Sequence, residues 1–285
     1  MTDTYFMNNN SQMQTPTLTN AKTLTPALLE HGEVAYEKIN ENGTSPLLLV
    51  CEHASRHIPK YFNGLGLGED VKKSHVAWDP GALDLAKCLS EAFDATLIKS
   101  NISRLVYDCN RPQNDASAMP KRSEIFDIPG NADISDSEIL TRTEQIYNPF
   151  YTALGQTIAK KQSNDNISSL VTIHSFTPVY FGEKRDVEIG ILHSSDSRLA
   201  DEMLLVAPEL SDLQIERNQP YGPEDGVAHT LEAHGLKNNL ANVMIEVRND
   251  LLANQAGVKK ICGLLVSMIS RAEAKILSSS NEGNK

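Results

Sequence analysis

The sequence predicts an α/β domain with a mostly parallel central sheet and helices on both faces. Three observations carry that prediction. Apolar runs of strand length (Leu47 to Cys51, Leu170 to Ile173, Val243 to Ile245) read as strands buried on both sides, as in a parallel sheet. Amphipathic helical patterns alternate with them, the order expected of βα units. Each run also stops at a side chain suited to chemistry: Glu52 and His53, then His174, then Glu246. Open α/β sheets hold their ligands just past the carboxyl ends of such strands.

The elements follow in order. Residues 1–25, rich in Asn, Thr, Gln and Ser, carry neither a basic nor an apolar leader pattern and read as a disordered or loosely docked arm. Ala27 to Ile39 forms a short helix or turn, broken at Asn40-Glu41-Asn42-Gly43 before the first buried strand. Asp79-Pro80-Gly81 opens a helix, with Asp79 at the N-cap and proline at the first helical position. Leu83, Leu85, Ala86, Leu89 and Phe93 fall on one side of it. Ala95 to Ile98 reads as a strand and Leu105-Val106-Tyr107 as a short one. Residues 112–134 lack any period, and a loop of that length suits a lid or substrate loop. Ser135 and Glu138 make a capping box at the head of a long helix reaching Lys161.

Strands at 168–174 and 187–192 come next, then a helix at 195–206 opened by Ser195 and a short strand from Leu213 to Ile215. A turn-rich stretch, 218–226, leads to a helix at 227–235. The strand at 241–247 precedes a last amphipathic helix from Asn254 to Ile276. One domain over 26–278, followed by a frayed tail at 279–285, accounts for the pattern.

The chain has 285 residues, with 26 basic against 37 acidic for a net charge of −11. That balance argues against nucleic acid or an anionic membrane as partner, and no apolar run is long enough to span a bilayer. A small anionic substrate remains compatible, because a site needs only a few local arginines. A homo-oligomer is equally compatible. No Cys-x-x-Cys pair exists, so a structural zinc knuckle is not expected. Cys88 and Cys262 sit in apolar helical patterns and read as core thiols, while Cys51 and Cys109 lie beside candidate site residues without an activating base. Reduced thiols in a cytoplasmic enzyme are the simplest account.

Four constellations carry chemistry. His53 and His174 are imidazole donors of the kind Zn²⁺ prefers, and catalytic zinc usually takes three protein ligands. For the third, Asp79 is attractive but equally fits a plain N-cap. Glu52 should point away from His53 if the strand continues through it; His57 and His75 are weaker candidates, and Trp78 reads as local packing. Glu246, at the end of an apolar strand, suits a general base, or else it pairs with Arg248 on the same strand face. Arg104, Asp108, Asn110 and Arg111 cluster around a short segment. The arginine fork matches a carboxylate, and Arg104 with Asp108 could instead form a structural ion pair. Tyr221 heads a Gly- and Pro-rich loop that also holds His229; His229 and His234 are five apart and do not share a helix face.

These residues resemble the N-formylglutamate amidohydrolase family over roughly residues 45–255. The marks are Cys51-Glu52-His53-Ala54-Ser55 with Ile58-Pro59, and His75-x-x-Trp78-Asp79-x-Gly81-Ala82. They continue in Ser103-Arg104 with Asp108-x-Asn110-Arg111-Pro112, Ile173-His174-Ser175-Phe176, Asn218-x-Pro220-Tyr221, and Ile245-Glu246-Val247-Arg248-x-Asp250-Leu251. The resemblance implies a phosphorylase/hydrolase-like fold related to zinc exopeptidases of the carboxypeptidase and aspartoacylase kind. It implies a Zn²⁺ or other divalent cofactor and hydrolysis of an N-formyl or N-acyl amide on a small acidic amino acid such as N-formyl-L-glutamate. His53 and His174 match the two metal-binding histidines, Asn110-Arg111 the carboxylate-binding pair and Glu246 the catalytic glutamate. One departure stands: related exopeptidases use His-x-x-Glu, and here Arg56 follows His53 by three.

The expected site is therefore a metal on His53, His174 and Asp79, with Glu246 as base. Arg111, Asn110, Arg104, Arg248, Ser55 and Tyr221 are expected to bind substrate. The alternatives are a carboxypeptidase-like or aminoacylase-like hydrolase of another N-acyl amino acid, and a non-catalytic ligand-binding protein on the same fold.

Overall fold

The computed structural model describes residues 26–113 and 115–282; the arm expected over residues 1–25 lies outside the described residues. In chain order it contains β1 (Tyr36–Ile39), β2 (Leu47–Cys51), α1 (Glu69–Lys73), α2 (Ala82–Phe93) and β3 (Thr96–Ser100). A small hairpin, β4 (Arg122–Ser123) and β5 (Phe126–Asp127), precedes α3 (Asp136–Arg142) and α4 (Asn148–Gln162). Next come β6 (Ser169–Phe176), a second hairpin of β7 (Val179–Tyr180) and β8 (Glu183–Lys184), then β9 (Ile189–Leu192) and α5 (Arg198–Leu210). The chain closes with β10 (Ile215–Arg217), β11 (Ala241–Arg248) and α6 (Gln255–Glu282).

Seven strands form one sheet in the order β1-β3-β2-β6-β11-β9-β10. Its centre, β3-β2-β6-β11, is parallel, β10 runs parallel to β9, and only the β1–β3 and β11–β9 pairings are antiparallel. The mixed, mostly parallel α/β sheet expected from the sequence is what forms. Strands β2, β6 and β9 are buried at every position, which is why they read as unbroken apolar runs.

The strand period of two divides the interior. Leu47, Leu49, Val171, Ile173, Val243 and Ile245 face one core with α2, α5 and α6; Leu48, Val50 and Leu170 face another with α4 and the segment 102–109. Leu85, Ala86 and Leu89 of α2 are completely buried, and each such leucine contributes roughly 1.5–3 kcal/mol of burial free energy. Gly81 starts α2 at φ +81°, where a Cβ would lie 2.4 Å from the Leu252 Cβ, so the turn needs glycine twice over.

Several local expectations are corrected. Residues 36–39 form β1 rather than a helix or turn, because they add to the sheet edge beside β3. Leu105 to Tyr107 is a buried turn rather than a strand: the Val106 and Tyr107 amides bond the Ser103 carbonyl and the Leu105 amide bonds the Ser103 hydroxyl. The single helix expected from Ser135 begins as foreseen, with the Ser135 hydroxyl accepting from the Glu138 amide. It is then interrupted by a π-helical turn at Thr143–Tyr147 before α4. Pro149, which lacks an amide hydrogen and crowds the preceding turn, supplies the reason. Helix α5 is entered at Ser197 rather than Ser195, and α6 extends past Ser278 to Glu282. Cys88 and Cys262 form a disulfide joining α2 to α6, so they are not free core thiols.

Candidate active site

Strands β2, β6 and β11 lie side by side in the parallel centre of the sheet, so their carboxyl ends converge. The register pairs Glu246 directly with His174, and strand spacing places neighbouring residues about 5 Å apart. The face follows from periodicity: with Ile173 and Ile245 turned to the α2/α6 core, His174 and Glu246 turn to the other side. Strand β2 has ended at Cys51, and the turn that follows lets Glu52 and His53 both approach His174. Glu52 therefore does not point away.

His53, Asp79 and His174 meet there, all buried. His53 Nδ1 is 3.3 Å from Asp79 Oδ2, His174 Nδ1 is 3.0 Å from the same oxygen, and the two Nδ1 atoms are 3.2 Å apart. Three donors bound at ~2.0–2.1 Å in a tetrahedral zinc site sit about 3.3–3.4 Å from one another, so the triangle has the right size. Its protonation suits a cation as well. His53 Nε2 lies 2.7 Å from Asp108 Oδ1, and His174 Nε2 lies 3.1 Å from Glu52 Oε2. A carboxylate only accepts, so a neutral His53 keeps its proton on Nε2 and turns its Nδ1 lone pair inward, and the Glu52 charge favours the same tautomer of His174 through an ion-pair contact rather than a hydrogen bond. Two lone pairs and a carboxylate oxygen then face one point with no hydrogen among them.

The electrostatics show a centre that calls for positive charge, which protons on the rings supply when no cation is bound. Burial pushes both imidazoles toward neutrality, yet Asp108 and Asp79 around His53, and Glu52 and Asp79 around His174, outweigh it and favour positive charge. Burial works against the Asp79 and Asp108 carboxylates too, but the imidazoles, together with Arg104 beside Asp108, hold both below the usual range. Arg104 is the guanidinium in contact with both, 3.3 Å from Asp79 Oδ1 and 3.2 Å from Asp108 Oδ2. With both rings neutral, the Glu52, Asp79 and Asp108 carboxylates outnumber Arg104, an imbalance that either protonation of the rings or a dication in the triangle closes. The Asp79 side chain makes no helix cap, since Gly81 occupies that position.

A cavity of about 560 Å³ opens onto this centre, lined by His53, His174, Arg104, Arg111, Arg185 and Glu246 among others. Glu246 has an unpartnered oxygen, and burial raises its pKa to about 7. Gly190, opposite Glu246 on β9, makes room for the wall. A Cβ there would lie 1.8 Å from the Gln219 carbonyl oxygen, so only glycine lets the 218–222 segment cross and deliver Pro220 and Tyr221 to the cavity.

The other predicted residues divide. Tyr221 and Arg111 line the cavity, but Arg104 is taken up by the two aspartates. Asn110 lines it too, although its amide is engaged: Nδ2 donates to the Val227 carbonyl and Oδ1 accepts from the Thr230 amide, which pins the 226–230 turn. Ser55 lies outside the cavity, its hydroxyl accepting from the His57 amide in a separate surface depression. Arg248 is also outside, because Glu188, Asp250 and the carbonyls of Arg185 and Asp186 hold its guanidinium. It does not pair with Glu246. His57 pairs with Glu33 near the surface, and His75, on the cavity wall, lies 2.9 Å from Glu124 Oε2. His229 bonds the Tyr147 hydroxyl and His234 packs on Tyr151, away from the triad. Burial raises the Cys51 and Cys109 thiols well above their ordinary range, leaving neither activated.

Sequence reasoning missed Glu52 and Asp108 as the groups that orient the two histidines, and it missed Arg185. Glu52 had one signal, its place beside His53 at a strand end; Arg185, in a polar hairpin, had none.

The family model described as N-formylglutamate amidohydrolase matches residues 45–253. The crystal structure of gene product Atu2144 from Agrobacterium tumefaciens is 50% identical, with 88% of this chain and 99% of that one covered and a TM-score of 0.86. The crystal structure of N-formylglutamate amidohydrolase from Ralstonia eutropha JMP134 is similar at 17% identity, covering 85% of this chain and 98% of that one with a TM-score of 0.56. That second likeness is one of fold. No curated protein matches.

Proposed function

This chain belongs to the N-formylglutamate amidohydrolase family and is a hydrolase of that type, and from that premise we propose that it is a metal-dependent amidohydrolase of a small N-acylated acidic amino acid. N-formyl-L-glutamate is the first candidate substrate, with formate and the free amino acid as products. The observation that carries the reading is the convergence of His53 Nδ1, His174 Nδ1 and Asp79 Oδ2 within 3.3 Å of one another, each ring turned by its own carboxylate.

Those three residues would hold the metal, with Glu52 and Asp108 fixing the tautomers and Arg104 fixing Asp79 and Asp108. When bound, a divalent cation supplies Lewis-acid polarisation of the scissile carbonyl and makes water more acidic. Glu246 is the residue that moves the proton. Its carboxylate takes one from the attacking water and delivers it to the leaving amine nitrogen, and a pKa near 7 lets it do both near neutral pH. Arg111 binds a substrate carboxylate and Tyr221 closes the wall, while Asn110 keeps the 226–230 turn in place.

Elemental analysis of the purified protein together with formate release from N-formyl-L-glutamate tests this. About one metal per chain and formate release that stops on chelation and returns with zinc is the expected result. A metal-loaded protein inert toward N-formyl and N-acetyl amino acids alike would overturn it.

A further inference from the structure

Three arginines line the cavity, and their partners differ. Arg104 is neutralised by Asp79 and Asp108. Arg111 and Arg185 make no ion pair with any described residue. Arg111 donates only to the carbonyls of Asn110 and Gly226. Arg185 donates from Nη1 to the Tyr221 hydroxyl at 3.0 Å, leaving most of its five N–H groups free.

The Arg185 guanidinium is nevertheless held. It lies 4.3 Å from the Tyr180 ring centroid, 4.8 Å from Tyr221 and 5.6 Å from Phe176. Aromatic faces fix a guanidinium in place while leaving its edge donors unspent. Its backbone is pinned on both sides, the amide donating to the Pro178 carbonyl and the carbonyl accepting from Arg248 Nη1 at 3.2 Å. Arg248, expected to touch substrate, thus acts one step behind Arg185. A cation fixed at a cavity wall, with no carboxylate of the described residues in ion-pair contact although Glu124, Asp225 and Glu246 line the same cavity, has donors open to an incoming anion.

We infer that Arg185 is the specificity-determining residue of this site: it binds the distal carboxylate of a dicarboxylic N-acyl amino acid, while Arg111 binds the α-carboxylate. The inference rests on the amidohydrolase reading above. Two uncompensated arginines match a dianionic substrate and leave one guanidinium unmatched by a monoanionic one. N-formyl-L-glutamate and N-formyl-L-glutamine, equal in shape and different in charge, separate the two cases.

Steady-state kinetics on both substrates, for the zinc-loaded wild type and for Arg185→Met and Arg185→Lys, tests it. Wild type should favour the glutamate substrate. Arg185→Met should lose roughly 10- to 100-fold in kcat/KM on it, the range for a hydrogen bond to a charged group. The loss should fall in KM, with at most a few-fold loss on the glutamine substrate; Arg185→Lys should regain part of the preference. Equal losses on both substrates would make Arg185 a mere prop for Tyr221, and an unchanged preference would remove it from recognition; either result overturns the assignment alone. A wild type that releases formate from neither substrate overturns the reaction reading and this assignment together.

Discussion

The two faces of the sheet are built from the same strands and do different work. On one, Leu47, Leu49, Val171, Ile173, Val243 and Ile245 lie under the regular helices α2, α5 and α6 in one continuous apolar cluster. On the other, Leu48, Val50 and Leu170 give way at the carboxyl ends to Glu52, His174 and Glu246. Irregular segments cover that end. Asn131 and Arg142 are buried there, bonding the carbonyls of Leu105, Pro120 and Val106, while Asn110 holds the 227–230 backbone. A regular helix has spent its backbone groups on itself and can offer a sheet only side chains. Turns keep free amides and carbonyls, and these allow buried polar groups to be satisfied. The chemistry sits where the cover is irregular.

The largest effect should come from the chemical face. Glu246→Gln should lower kcat by about 10²- to 10⁴-fold while metal content and melting temperature hold. Retained activity would remove Glu246 as base. The pH profile belongs to the same test: the basic form of Glu246 predominates only above about 7, so the wild-type kcat/KM should rise about tenfold per pH unit below that value and level off above it. A flat profile across that range would contradict the assignment.

On the apolar face, Leu85→Ala should destabilise the fold by about 2–5 kcal/mol, because Leu85 is completely buried in α2. Denaturant unfolding reads this, and zinc affinity of the folded variant should stay as in wild type. A variant that lost metal would show that the two faces are coupled. The smallest effect should come from Glu52→Gln, which lies between the two cases. It removes the charge facing His174 Nε2 while leaving an acceptor there, and it should weaken zinc binding about 10- to 100-fold by chelator competition. Unaltered affinity would mean that His174 is oriented by Asp79 and its strand alone.

Much of this was legible beforehand. Strands β2, β6 and β11 were visible because burial on both faces leaves an unbroken apolar run, and Ser135 marked its helix through cap chemistry. His53, His174 and Glu246 stood out because each ends such a run. The role of Asp79 was not decidable, since an aspartate before Pro-Gly is an equally good helix cap; only the fold shows its carboxylate turned to two histidines from distant strands. Arg248 and Ser55 illustrate the opposite failure. Both sit in the motifs, yet their polar groups are consumed locally, by Glu188 and Asp250 in one case and by the His57 amide in the other.

By itself, the sequence determined the α/β class, the buried strands and the polar residues at their ends, because periodicity and burial are local properties written into residue order. Tertiary structure decided which of those ends are neighbours and which acid turns which imidazole. It also decided that Arg111 and Arg185 are left without an ion-pair partner among the described residues. Those are facts about strand order and charge pairing across separations of up to 121 residues, and no local pattern encodes them.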